Sequence, residues 1–307
     1  MFGTEILSDL FFFERGYLNG NHFAWRNREP ILIDTAYKTG YQATERMVND
    51  VGADIDRVSL IINTHCHCDH VGGNRIIQER SGCGVAVHKI GKHFIDTKDD
   101  WSTWWRYFAQ EADFFSCTRA LDDGELISVG PHEFQVIYTP GHSADGIVLY
   151  NRQAKILLSS DTVWEKDLAA ITIRVEGSRA IFDMLESLER LRNLDVGITY
   201  PGHGRPFTDL AAAVHRAVKR LEQYLTDGTR VGDDLLKKII IYTLMMKPGA
   251  EAATFFDSLM KTSWFPETIN MYFDRDYLKK FEEILTLLLQ RGLVKIKDGR
   301  MFTTVKP

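Results

Sequence analysis

The chain is predicted to fold as a layered α/β domain followed by a helical tail, on three observations. Short apolar or alternating runs bounded by Gly, Asp or Pro recur through the first two-thirds. Helical stripes fall between those runs, and strands mixed with helices imply stacked α and β layers. From Pro206 onward the texture becomes almost wholly helical.

The predicted strands, in order, are Ile6–Phe13, His22–Trp25, Pro30–Asp34, Val58–Asn63, Val85–His88, Phe134–Tyr138, Ile147–Tyr150, Lys155–Leu158 and Val196–Tyr200. Helices are predicted at Gly40–Val51, Gly73–Arg80 and Ser178–Leu191. Ile31-Leu-Ile-Asp-Thr35 and Ile156-Leu-Leu-Ser-Ser-Asp-Thr162 both end a strand in Asp-Thr, a short echo of the kind an internal duplication leaves. Between Asp96 and Phe115 the chain crowds Trp101, Trp104, Trp105, Tyr107, Phe108, Phe114 and Phe115 together. The spacing of Trp101, Trp104, Trp105 and Phe108 fits one face of a helix. Such a face either packs on the core or forms a lid whose rings wall a substrate pocket.

In the tail, Phe207–Leu225 carries Leu210, Val214, Val218, Leu221 and Leu225 at helical spacing and stops at Thr226-Asp-Gly-Thr. Three further helices are expected at Leu235–Met246, Ala250–Met260 and Tyr277–Gln290. The alternating stretch Gly292–Thr304 holds an Asp-Gly turn and reads as a hairpin. Helices followed by a small hairpin suggest a winged-helix-like module, with a boundary near Leu225–Val231 and units of residues 1–225 and 226–307.

At 307 residues, 44% hydrophobic and 26% charged, the chain can bury a sizeable core. Its apolar runs are too short to span a bilayer, so no membrane role is expected. The first 16 residues lack a basic leader and a cleavage site, and Glu5 and Asp9 interrupt their apolar character. Four cysteines in a chain of this size do not make a disulfide scaffold, so a reducing, cytoplasmic setting is expected. A net charge of −5 gives no general pull toward nucleic acid. The balance is uneven, however. Residues 206–307 hold 16 basic and 13 acidic side chains, against 21 and 29 in residues 1–205.

Chemistry concentrates in Asn63-Thr-His-Cys-His-Cys-Asp-His-Val-Gly-Gly73, an H-x-H-x-D-H string directly after a predicted strand. Imidazole and carboxylate are the usual ligands of zinc and related divalent ions. His65 and His67, two apart in extended backbone, point to one side, while Asp69 and His70 fall where the chain turns and can serve a second ion. The alternation points Cys66 and Cys68 away from that side, into packing. His142 in Thr-Pro-Gly-His, Asp161 in Ser-Ser-Asp and His203 in Tyr-Pro-Gly-His each follow a predicted strand. Loops at one edge of a sheet converge, and function collects on them. Asp34, at a strand end, is either a turn cap or an acceptor that orients a ligand histidine. His22, in Asn19-Gly-Asn-His22, sits in a turn able to border the site.

The string His65-Cys-His-Cys-Asp-His70, with Pro140-Gly-His142, Ser160-Asp161 and Gly202-His203 in this order, resembles the metallo-β-lactamase superfamily. The resemblance covers roughly residues 5–205 and implies an αββα sandwich with its site at one edge of the sheets. It implies that His65, His67 and His142 hold one metal, that Asp69, His70 and His203 hold a second, and that Asp161 bridges them. The cofactor expected is a pair of divalent ions, zinc first, with iron or manganese as alternatives. Two such ions lower the pKa of a shared water toward about 7. The expected activity is therefore hydrolysis by a metal-bridging hydroxide, with Asp69 orienting the nucleophile and carrying a proton.

The tail is most similar to a lactamase-beta-like group with a winged-helix end, which includes a ribonuclease acting on single-stranded RNA. Small carbonyl substrates (thioester, ester or lactone) are favoured, because the catalytic body is acidic and shows no arginine-rich stripe. Single-stranded RNA is the alternative partner, and an iron persulfide dioxygenase is a further one, against which the complete ligand set argues. The tail would also serve as a homodimer contact or as a pocket-closing element.

Overall fold

The computed structural model describes residues 3–307. Its first sheet has seven strands in sequence order: β1 (Thr4–Leu7), β2 (Leu10–Phe13), β3 (His22–Trp25), β4 (Ile31–Ile33), β5 (Leu60–Ile62), β6 (Gly84–His88) and β7 (Arg119–Leu121). The first four are antiparallel and the last four parallel. Helices α1 (Tyr41–Asp50), α2 (Cys68–Val71), α3 (Asn74–Ser81) and α4 (Lys89–Asp96) lie between strands of this sheet. The second sheet runs β12-β11-β10-β9-β8, from β8 (Leu126–Val129), β9 (His132–Tyr138), β10 (Ile147–Asn151), β11 (Ile156–Ser160) and β12 (Ile198–Pro201). Helices α5 (Ile173–Glu176) and α6 (Ala180–Arg192) link β11 to β12. The tail holds α7 (Leu210–Thr226), α8 (Thr229–Met246), α9 (Ala252–Met260), α10 (Trp264–Tyr272) and α11 (Tyr277–Gln290). A small sheet of β13 (Ala250–Glu251), β14 (Val294–Lys297) and β15 (Arg300–Thr303) completes it.

The layering follows from the period of two along each strand. Leu10, Phe12, Ile33 and Ile62 of the first sheet meet Phe134, Val136, Leu149 and Leu158 of the second in a shared central layer. Their neighbours Phe11, Phe13, Leu32 and Ile61 face outward and are buried with Val48 of α1 and Ile77 of α3. On the opposite side Val148 and Leu157 are covered by Met184 and Leu188 of α6 and by Val214 and Leu221 of α7. Strands covered on both faces read as continuous apolar runs, which is why they were legible. The result is a mixed α/β sandwich with helices outside both sheets.

Helix α8 is apolar from Ile239 to Met246 and buried over most of its length, with Leu235, Leu236, Ile240 and Leu244 among its buried residues. Helices of that kind sit between layers rather than on a surface. Its buried side chains, with Trp264 of α10 and Ile284 of α11, share one cluster with Phe13, Leu32, Ile61 and Val85.

Three local expectations differ from the structure. Ile6–Phe13 is a hairpin rather than one strand, because Asp9 turns the chain with φ 59° and pairs Leu7 with Leu10. No helix forms between Asp96 and Arg119; residues 101–109 are a succession of turns. Trp104 at φ 70° and Ala109 at φ 52° are left-handed, which no right-handed helix accommodates. The rings of Trp104, Trp105, Tyr107 and Phe108 are buried all the same. Finally, α8 begins at Thr229 rather than Leu235, and β7, β8, α4 and α10 add elements beyond those expected.

Candidate metal centre and its cavity

Every residue of the H-x-H-x-D-H string is buried. After β5 the chain runs extended through His65 to His67, which starts the single turn of α2, where His70 and Val71 donate their backbone N–H groups to the His67 carbonyl. That turn carries both Asp69 and His70 into the cluster. His142 follows β9, Asp161 follows β11 and His203 follows β12, so the loops after three strands of the second sheet meet the loop after β5. Gly202 is required in this crowd: a Cβ there would lie 2.0 Å from Asp161 Oδ1 and 3.1 Å from the His70 ring.

The ligand atoms form three overlapping groups, each within 4.8 Å: His65, His67 and His142; His65, His70 and Asp161; Asp69, His70 and His203. His203 Nε2 is 3.2 Å from Asp69 Oδ2 and 3.6 Å from Asp161 Oδ2. The other oxygen of Asp161 lies 3.6 Å from His70 Nε2, and His142 Nε2 is 3.5 Å from Asp161 Oδ2. Asp161 thus stands between the two outer groups.

Hydrogen bonds behind the rings set the tautomers. His142 Nδ1 donates to the Ala170 carbonyl at 2.7 Å and His203 Nδ1 to the Gly16 carbonyl at 2.9 Å. His70 Nδ1 faces Asp34 Oδ2 at 2.8 Å. In the neutral imidazoles this leaves Nε2 as a bare lone pair aimed at the centre. The Nε2 atoms of His65, His67 and His70 are buried without any hydrogen-bond partner. His67 Nδ1 and His142 Nε2 lie 3.0 Å apart, within hydrogen-bond reach. Buried Nε2 atoms left without a partner are costly unless something positive lies among them. The donor set therefore fits divalent cations.

Asp34, which follows β4 with φ 58°, also accepts the Thr64 amide at 2.9 Å and the Thr64 hydroxyl at 2.8 Å. It thereby fastens the start of the histidine loop and one of its rings together.

Burial pushes His65, His67 and His142 below the ordinary imidazole range, holding them neutral as ligands require. For His70 burial acts the same way, but Asp34, Asp161 and Asp69 outweigh it and raise it well above that range. His203 is raised likewise, burial being overcome by Asp161 and Asp69. Burial would lift Asp161, yet His203, His70 and His142 draw it well below the carboxylate range.

A cavity of about 470 Å³ opens over this cluster, with His67, Asp69, His142, Asp161 and His203 in its lining. Of the pocket expectations, Trp104 lines it; its ring lies 3.9 Å from that of His67. The Trp104 indole donates to Glu176 at 2.5 Å, and burial lifts that carboxyl to about 8. Trp101, Trp105, Phe108 and His22 are outside the lining. Trp105 donates its indole N–H to the Cys66 carbonyl, Phe108 is buried 5.1 Å from Trp104, and Trp101 packs on Tyr107. His22 is fully buried, stacked on Phe13 at 4.8 Å.

Several lining residues carried no motif. Tyr17 stacks parallel to His203 at 5.9 Å, and Trp164 meets the same ring edge-on at 5.2 Å. Trp164 follows Asp161 by three residues, a proximity visible in the sequence. The tail supplies an apolar wall of Ile239, Ile241, Met245, Leu288 and Leu293, together with Tyr242. Tyr242 and Gln110 also lie 3.5 Å and 3.2 Å from Cys68 Sγ.

Comparison with known proteins gives a consistent picture. The profile described as "Metallo-beta-lactamase superfamily" matches residues 22–203. The probable metallo-hydrolase YqjP of Bacillus subtilis is 25% identical over 234 residues, covering 66% of this chain and 72% of that protein. The human acyl-coenzyme A thioesterase MBLAC2 is 29% identical over 224 residues, covering 63% of this chain and 77% of that one. Among solved structures, a metallo-beta-lactamase family protein of Thermus thermophilus superposes with a TM-score of 0.63 at 21% identity, over 97% of this chain and 100% of that one. With the profile matching more than half its length, this chain belongs to the metallo-beta-lactamase superfamily, whose members are metal-binding hydrolases.

Proposed function

We propose that the protein is a two-metal hydrolase of small carbonyl substrates, with acyl thioesters first among them. The observation that carries this reading is the convergence of seven buried donor residues in three overlapping groups, five of them lining one cavity. His65, His67 and His142 are assigned to one ion, Asp69, His70 and His203 to the other, and Asp161 to both. Two ions so held, zinc in the first instance, supply a nucleophilic oxygen at neutral pH and neutralise charge that develops on the carbonyl oxygen. Asp69 borders the cavity and is assigned to orient water and carry its proton. Water oxygen bonds to the acyl carbon, the carbon–sulfur bond breaks, and the leaving thiolate takes up the proton, giving a carboxylic acid and a thiol. The apolar wall from the tail suits an acyl group and excludes bulk water. The thioesterase name of the human relative supports the choice among carbonyl substrates.

Residues 226–307 are read as a winged-helix-like unit whose role here is to close the cavity. The four cysteines are all free and buried, which suits a reducing, cytoplasmic compartment. Among the described residues no helix is long and apolar enough to cross a membrane.

The test is metal content of the purified protein with turnover on a panel of acyl thioester, lactone and single-stranded RNA. About two ions per chain, thioester turnover lost on chelation and regained with zinc are expected. A single iron with oxygen consumption and no hydrolysis would overturn the reading.

Asp34 gives a second expected result. Asp34→Asn keeps the shape and the left-handed backbone but removes the charge behind His70. Zinc affinity should fall about 10–100-fold, measured by competition with a chromophoric chelator. Unchanged affinity would reduce Asp34 to a turn former.

A further inference from the structure

A second groove, of about 620 Å³, lies between α7 and α8 and borders the catalytic cavity, since Arg220, Asp234 and Lys237 line both. Five cations face it: Arg216, Lys219, Arg220, Arg230 and Lys237. Its three carboxylates already have partners. Asp227 pairs with Arg230 at 3.2 Å, Asp233 with Lys280 at 2.6 Å, and buried Asp234 with Arg220 and, at 2.6 Å, Lys238. Arg216 is satisfied only by the neutral Glu165 carbonyl, at 2.6 and 2.9 Å. Lys237 comes no nearer to a carboxylate than 3.9 Å, from Asp234, and Lys219 forms no ion pair among the described residues. Burial pushes the Lys237 ammonium below its usual range in spite of Asp234 and Asp233 nearby, so it stands partly desolvated with only loose pairing. Two cations without an ion pair and a third only loosely paired, around a groove of ligand size, call for an anion of more than one charge.

We propose that this groove binds the phosphorylated end of an acyl thioester of the coenzyme A type. Its phosphates sit among Arg216, Lys219 and Lys237, and its acyl group lies against Ile239, Met245 and Leu288. The thioester bond between them then falls over the histidine cluster. This assignment rests on the thioester reading above and adds to it the handle by which the substrate is chosen.

The experiment compares, on the full chain, a medium-chain acyl-coenzyme A with the same acyl group on N-acetylcysteamine, which lacks phosphates. The coenzyme A thioester should be preferred in kcat/KM by about tenfold or more, through KM. In the double variant Lys219→Glu, Lys237→Glu that preference should collapse toward one. A single Lys219→Glu variant, on an exposed helix face, provides the same readout should the double variant fold poorly. Adenosine 3′,5′-bisphosphate, which carries no thiol, should bind the wild type by calorimetry and not the variant. Binding of the bisphosphate without turnover of either thioester would sink the thioester reading and keep the phosphate site. Equal kcat/KM on both substrates with no bisphosphate binding overturns the groove assignment. So does displacement of the bisphosphate by a short single-stranded RNA that binds more tightly.

Discussion

Asp69→Asn is expected to lower kcat by about 10²–10⁴-fold, with little change in thermal stability. Asp69 lines the cavity and reaches His203 Nε2 at 3.2 Å. Asparagine preserves its shape on the one-turn helix but cannot accept a proton. If the carboxylate both fills a ligand position and handles the proton of water, both contributions are lost together. Activity and metal content measured on one preparation separate the two. Full metal content with lost turnover assigns proton handling, whereas one ion missing assigns ligation first. Turnover within a few-fold of wild type would remove Asp69 from the mechanism.

The second large effect is on stability. Trp264→Ala should destabilise the chain by about 3–5 kcal/mol, read as a fall in the urea or thermal midpoint. Trp264 is fully buried at the start of α10, with ring centroids 5.6 Å from Phe265 and 6.2 Å from Phe108. Phe108 in turn packs against Trp104, whose ring covers His67. Removing the indole empties the junction of the tail and the aromatic loop, so weaker substrate binding should accompany the lost stability. Leu278→Ala, half-exposed on α11, is the control and should stay within about 0.5 kcal/mol. An effect below about 1 kcal/mol at Trp264 would show that the tail and the loop do not share a core.

The aromatic loop shows where pattern reading fails. Trp101, Trp104, Trp105 and Phe108 have helical spacing, but spacing reports only the tendency of large rings to be buried. A helix would bury them as a stripe. The structure buries them by turns instead, with Trp104 and Ala109 left-handed. The tertiary reason is that Trp104 must lie over His67 while its indole reaches Glu176, and Trp105 must reach the Cys66 carbonyl. No local rule specifies those distant partners. The Asp9 turn was hidden for a related reason: the apolar run on both sides continues through it, because β1 and β2 pair with each other.

By itself the sequence determined the superfamily and the layering. His65, His67, Asp69, His70, His142, Asp161 and His203 stand in loops that follow predicted strands, and their order, shared with the superfamily, implied that those loops gather at one edge. Apolar runs covered on both faces made most strands legible. Only the tertiary structure decided what surrounds that chemistry: Tyr17 and Trp164 against His203, the apolar wall of α8 and α11, and the cations between α7 and α8. These side chains come from several segments of the chain, and the wall from the tail reaches the cavity because the apolar second half of α8 is buried there. Candidate metal ligands are written in local motifs because a metal demands particular atoms, whereas a substrate pocket is made by packing and has no local signature.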